Sequence, residues 1–382
     1  MTGREKIQAA LSPEGSPEFA AVTCYQSLFL RDHWDQATEA PWWAHSDPDP
    51  RRAAQPWVEM VHRTEEDWFR VQYGATRQAQ AETAVEVTGE QVELVNRTTG
   101  ERTPLRRIPV GGHQPAPQSE HLAPGNPIKT IEQLEAALDQ YYGPRPEASA
   151  VPEEGSLDLP QVLLQELGDT RMPIMHIPAP WWWGHSFWSF NGLMTRMVET
   201  PELVRYASDR LLQHGLHLVQ RAALAGAGLI WIEDCMSDMI SPNQCRDFSL
   251  CYVRALAEAI REAGMLSVHY YCGRADDRWE YLLDTGADAL ALEEGKKGFD
   301  MDLLQVAERV DGRMALLGNI DSIAVMEQGS DAALQAEIKR QAEAGRRNRG
   351  RFVMSVGSPV TPGTPLARVR RYCDLVHGLA GD

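Results

Sequence analysis

From about residue 159 onward the chain alternates short apolar runs with longer segments whose apolar residues recur three or four positions apart. Short apolar runs bounded by turn residues read as strands and the 3.6-residue period as amphipathic helix, so the alternation predicts strand–helix units around a parallel sheet. Six runs qualify, at residues 171–178, 228–234, 265–271, 289–294, 313–321 and 351–358. The intervening segments, such as PELVRYASDRLLQHGLHLVQRAALAG and DAALQAEIKRQAEAG, carry the helical period. TPEL and SPNQ place a hydroxyl residue ahead of a proline at the first helical position, where a missing N–H does no harm. The expected fold is an α/β chain, a (β/α)8 TIM barrel. Its two remaining strands come from the first part of the chain, with AAVTCYQSLFL (20–30) as a candidate.

Residues 1–143 follow a different pattern. TAVEVTGEQVELVNRTTGERTPL (83–105) alternates apolar and polar positions around two glycine-containing turns, which predicts a small antiparallel β meander on an N-terminal extension. A Pro/Glu/Ser-rich stretch at 144–158 reads as a linker, leaving 159–382 as the main part of the barrel.

Charge narrows the partners. With 37 Lys and Arg against 54 Asp and Glu, the net charge of −17 repels a phosphate backbone or an anionic membrane, so neither nucleic acid nor membrane is expected as a partner. The one dense basic run, GRRNRGR (345–351), precedes an apolar segment and reads as a solvated helix end. No segment has the apolar length of a membrane span, and the first residues lack the apolar core of a signal peptide. Six cysteines without framework spacing suit a reducing cytoplasm. The expectation is a soluble cytoplasmic protein acting on a small molecule, with a homodimer left open.

In a parallel barrel the active site is built at the carboxyl ends of the strands. Here those ends carry His176, then Glu233 and Asp234, then His269, Tyr270 and Cys272, then Glu293 and Glu294, then Asn319 and Asp321, then Ser358. Six such ends in succession point to a shared site, with ordinary turn and cap residues as the alternative. The stretch PWWWGHSFWSFNG (180–192) carries Trp181, Trp182, Trp183, His185 and Trp188 with two phenylalanines. Read as a loop, it is a lid or wall over a planar or aromatic ligand. Packing against the Trp-rich amino-terminal region and a protein–protein interface are the competing readings.

GLIWIEDCMSDMISP, VHYYCG, DTGADALALEE, LLGNID and GSPVTPGTPLARV, with GREKIQAAL at the start, together resemble the uroporphyrinogen decarboxylase superfamily, which includes zinc-dependent cobamide:thiol methyltransferases. The resemblance covers roughly residues 160–380. It implies an enzyme with a (β/α)8 barrel and its site at the carboxyl end. The Arg-rich amino-terminal motifs of the decarboxylase branch are absent, which weakens the case for a substrate bearing many carboxylates. In the methyltransferase branch zinc is held by a His-x-Cys pair and a second Cys, and a Glu joins them in more distant relatives. Carried over, Cys272 and Glu293 match, while Tyr270 stands at the histidine position and Ser358 at the second cysteine. His269 is displaced by one and faces away from Cys272 unless the strand bulges. The resemblance thus implies His269, Cys272 and Glu293 as a candidate zinc set. It implies Glu293, Glu233, Asp234, Tyr270 and Cys272 as catalytic candidates, and His176, the aromatic stretch, Asn319, Asp321 and Ser358 as substrate contacts. The function it implies is methyl or small alkyl transfer to or from a thiol or a corrinoid carried by a partner protein. A metal-free decarboxylase or lyase on a carboxylated aromatic or tetrapyrrole substrate, and a non-catalytic small-molecule binding barrel, are the alternatives.

Overall fold

Eleven strands are formed among the described residues, which are 1–111, 128–143, 153–295, 298–299 and 301–379 of a computed structural model. In chain order they are β1 (Ala21–Val22), β2 (Trp68–Arg70), β3 (Thr83–Thr88), β4 (Gln91–Asn96), β5 (Arg102–Pro104), β6 (Met172–Pro178), β7 (Leu229–Cys235), β8 (Leu266–Cys272), β9 (Ala289–Leu292), β10 (Ala315–Leu317) and β11 (Phe352–Ser355). Eight of them form one parallel sheet in the order β1-β11-β10-β9-β8-β7-β6-β2. The ends meet through Asp67, whose N–H donates to the Ala21 carbonyl at 2.9 Å and whose Oδ2 accepts from the Ala21 N–H at 2.7 Å. The sheet thereby curls into a (β/α)8 barrel, and β3, β4 and β5 form the separate antiparallel meander.

The six strands expected after residue 170 are all present. The apolar runs are nearly continuous because both faces of a parallel barrel strand are covered. Ile174, Leu229, Trp231, Val268, Tyr270, Ala291 and Val353 point inward and fill the barrel. Ile230, Ile232, Tyr271, Leu290, Leu316 and Phe352 point outward against the helices.

The first strand is shorter than the pattern of 20–30 suggests. Tyr25 adopts a left-handed backbone (φ 58°) that ends the extended segment, and Gln26–Asp32 is helical, burying Gln26, Phe29 and Leu30 at a spacing of three to four. The aromatic stretch is also not a loop. Pro180–Glu199 is a helix entered through Pro180, with a kink at Ser189 (φ 57°). Its buried residues Trp181, Gly184 and Trp188 recur three or four apart, and this spacing makes it helical.

SPNQ caps as expected, with Ser241 Oγ accepting from the Gln244 N–H, whereas Thr200 makes no side-chain cap bond. The basic run ends the helix Asp331–Arg347 and is consumed locally. Arg347 pairs with Glu308 at 2.6 Å, Arg349 with Asp311 at 2.7 Å, and Arg351 donates to backbone carbonyls. Most of the expected linker lies outside the described residues, and its described end is strapped to the amino-terminal region, since Ser156 accepts from Gly74 N–H at 2.9 Å.

Candidate active site at the barrel mouth

Side chains on an extended strand alternate between its two faces, so the inward set on β7 is Trp231, Glu233 and Cys235, and on β8 it is Tyr270 and Cys272. His176 joins them from β6, and Tyr25 reaches in from the end of β1. Their rings form an aromatic floor. His176 stacks on Trp231 (centroids 5.8 Å, 25°), Trp231 lies 4.8 Å from Tyr270, and Tyr25 sits 5.4 Å from His176. Above the floor the Tyr25 hydroxyl donates to Glu233 Oε1 at 2.5 Å.

Burial governs the protonation of these groups. It raises the Glu233 carboxyl above its ordinary value, against the opposing effects of the Tyr25 hydrogen bond and the nearby His185. Burial, then the Glu233 charge, pushes the Tyr25 phenol upward. His176 is held down at about 3 by burial and then by the Arg70 guanidinium, so it is a neutral imidazole at pH 7. Glu233 is therefore an acid whose charged form is disfavoured, facing an uncharged aromatic surface.

The rim is polar. Cys235 and Cys272 stand opposite each other in the β7–β8 register and their thiols are hydrogen-bonded, which raises the Cys235 thiol together with its burial. Tyr270 donates to the Gly357 carbonyl at 3.1 Å, and Ser358 donates to Glu294 Oε2 at 2.8 Å. Gly357 is required here, because a Cβ would collide with the Glu294 carboxylate. Glu293 lies near enough to raise the Tyr270 phenol, whose largest perturbation is burial.

Other expected site residues are elsewhere. Asp234 and His269 occupy the outward face of β7 and β8, where His269 Nε2 lies 3.2 Å from Asp234 Oδ2 and both side chains are fully buried. Asp234 also accepts from Ser237 Oγ at 3.0 Å and Ser249 Oγ at 2.9 Å. The strand stays extended, so the bulge that would have turned His269 inward does not form.

The aromatic helix divides. Trp181 and Trp188 are buried in the outer core, and Trp188 Nε1 donates to the Ile128 carbonyl at 2.9 Å. Trp183 packs edge-on against Tyr142 at 5.0 Å. Packing against the amino-terminal half thus accounts for Trp183 and Trp188. Trp182 and His185 stack on each other at 4.2 Å, half-buried, with His185 close enough to act on Glu233. Asn319 donates to the Glu293 and Met301 carbonyls, each at 3.3 Å, and fixes the rim, while Asp321 caps the turn that follows by accepting from the Ile323 and Ala324 N–H groups.

The zinc set carried over from the resemblance does not assemble, because its histidine is on the wrong face of β8. Among the described residues no three His, Cys, Asp or Glu side chains gather where they could hold a metal ion. Three participants escaped the sequence reading: Tyr25, Cys235 and Arg70. Arg70 ends the short strand β2 and Tyr25 follows the two-residue strand β1, both in the irregular first region, while Cys235 lies one residue past the apolar run that marked β7.

A family model described as Uroporphyrinogen decarboxylase (URO-D) matches residues 135–379, well over half of the chain. The uroporphyrinogen decarboxylase of Tolumonas auensis is 24% identical over 197 residues, 51% of this chain and 53% of the relative. That of Edwardsiella ictaluri is 24% identical over 200 residues, 52% and 54% of the two chains. The chain thus spans about half the length of these curated relatives. Among solved structures, a methyltransferase from Methanosarcina mazei superposes over 99% of both chains with a TM-score of 0.66 at 18% identity, a likeness of fold.

Proposed function

The chain belongs to the uroporphyrinogen decarboxylase family, and we propose that it is an enzyme transferring a methyl or other small alkyl group at the barrel mouth to a corrinoid or a thiol. The observation that carries this reading is the Tyr25–Glu233 pair, a carboxyl whose charged form is disfavoured by burial over a floor of neutral rings. An uncharged floor suits a planar methyl ether or thioether better than a molecule bearing many carboxylates. The acceptor's electron pair forms the new bond to the alkyl carbon. The carbon–heteroatom bond breaks with its pair passing to the heteroatom, which takes the Glu233 proton. The Tyr25 hydroxyl then donates to the carboxylate left behind, and solvent restores the proton. Proton transfer of this kind contributes about 10²–10⁴ in rate. No step is assigned to zinc.

A second reading has its own support. Arg70 lies close enough to His176 to perturb it, which provides one cation for one carboxylate. A buried acid can equally protonate a carbon as carbon dioxide leaves with its bonding pair left on that carbon. The two readings separate by product. Incubation with cob(I)alamin and 2-methoxyphenol is expected to yield methylcobalamin, followed by its absorbance, and Glu233→Gln is expected to slow its formation by about 10²–10³-fold. Carbon dioxide release from a panel of aromatic carboxylates, with no corrinoid or thiol methylation from a panel of methyl ethers and thioethers, would replace the first reading with the second. Neither product in either panel would leave a binding barrel.

A further inference from the structure

Beside the mouth, the end of β2, the helices Gln26–Asp32 and Pro50–Thr64, and the meander enclose a cavity of about 570 Å³. This volume lies within the range of sites that take small organic ligands. Its walls include Trp34, Trp42, Trp57 and Tyr73, and Arg70 reaches into it. Trp34 and Trp57 are core-buried, so the aromatic wall is fixed in place by the fold.

The charges around this cavity are unevenly matched. Arg31 is held by Asp32 through two bonds of 2.7 Å, and Arg107 by Asp35 at 2.8 Å. Asp47 accepts from the Asp49 N–H at 2.9 Å and from Arg52 at 3.4 Å. Arg70 has no carboxylate partner among the described residues. Its guanidinium lies 6.0 Å from the Trp57 ring centroid, and burial is the one influence on its protonation, a downward one. Its backbone is pinned, with the Arg70 N–H donating to Gln26 Oε1 at 3.0 Å while Gln26 Nε2 donates to the Trp68 carbonyl at 3.2 Å. The Trp57 indole N–H is likewise buried without an acceptor. In a chain of net charge −17, an uncompensated guanidinium beside Trp57 and largely withdrawn from water is costly unless an anion uses it.

We propose that this cavity binds an aromatic monocarboxylate, its carboxylate on the Arg70 guanidinium and its ring among Trp34, Trp42 and Trp57. A guanidinium fork matches a carboxylate in two parallel hydrogen bonds. One unmatched cation balances one negative charge, which favours a monocarboxylate over a phosphate dianion. The assignment does not rest on alkyl transfer at the mouth, and under the decarboxylase reading the same guanidinium holds the substrate's carboxylate.

The test is calorimetric titration of the purified full chain with 2-naphthoate and with neutral 2-naphthamide. Naphthoate is expected to bind at least about ten-fold more tightly, as a charge-assisted bidentate pair requires. Arg70→Met is expected to bring the two to equal affinity, Arg70→Lys to keep part of the preference, and Glu233→Gln to leave it unchanged. If Arg70→Met does not fold, the comparison of the two probes on wild type and Arg70→Lys decides. Equal affinity for both probes, no naphthoate binding at millimolar concentration, or a preference lost in Glu233→Gln and kept in Arg70→Met would each overturn the proposal.

Discussion

Glu233 and Asp234 are consecutive, both acidic and both at the end of β7, yet they occupy different environments. Glu233 faces the barrel interior with one hydrogen-bond donor from Tyr25, and burial raises its carboxyl. Asp234 faces the helices, where Ser237, Ser249 and His269 surround it with polar contacts at 2.9–3.2 Å. The same division runs through β8, with Tyr270 and Cys272 inward and His269 outward. A buried carboxylate given several donors is a structural anchor, while one given a single donor above apolar rings has its charged form disfavoured. The difference lies in how many partners the fold supplies, and strand alternation assigns the partners.

The largest effect is expected on the outward face. Asp234→Ala leaves His269 and two serines without their acceptor in a closed space, and should cost about 3–5 kcal/mol of stability. Chemical denaturation would record this as a lower midpoint, with activity per folded molecule retained. An unchanged midpoint would break the contrast. On the inward face, Glu233→Gln should lower turnover by about 10²–10³-fold. It should not destabilise the protein at alkaline pH. A carboxyl whose folded pKa is raised contributes stability that is lost as pH rises through that value, and the amide removes this loss.

A smaller effect belongs to His176. Its folded pKa of about 3 lies below the ordinary 6.5, so the unfolded chain binds a proton that the folded chain does not. The stability from keeping it neutral is present above pH 6.5 and is lost as pH falls toward 3. The slope is at most about 1.4 kcal/mol per pH unit. Difference curves between wild type and His176→Gln, measured by thermal or chemical unfolding from pH 7 to 4, should show this slope in wild type alone. Parallel curves would mean that His176 is solvated. The smallest test concerns the thiols. Cys251 is exposed, Cys235 half-buried and the other four cysteines buried, so a thiol reagent on the folded protein should react first at Cys251. Cys251→Ser should remove the fast phase. A fast phase that persists would place Cys235 or Cys272 nearer to solvent than the barrel mouth described above.

Much of the rim was legible because a β/α repeat announces itself through period alone, and the residue closing each apolar run falls at the mouth. Glu233, Tyr270, Cys272, Glu293 and Ser358 were found in this way. Three things were not legible. The aromatic stretch at 180–192 has the buried spacing of a helix, but its density of rings left a lid and packing against the amino-terminal region as competing readings. Tyr25 was hidden because a strand of two residues leaves no alternating pattern to extend. Arg70 was hidden because its region carries no recognisable Arg motif, and one uncompensated arginine is recognised only when its neighbours are known.

The sequence by itself determined the barrel, the order of its strands and the list of polar groups at their ends, because apolar periodicity and turn chemistry are local and additive along the chain. It also carried the family likeness. Only the tertiary structure decided which of two adjacent carboxylates faces the barrel interior with its charged form disfavoured and which is anchored by several donors, that His269 turns away from Cys272, and that Arg70 stands unmatched beside Trp57. Those outcomes depend on burial and on partners far apart in the chain, such as Tyr25 and Glu233. The free energy of a charge in a protein is set by what surrounds it in space.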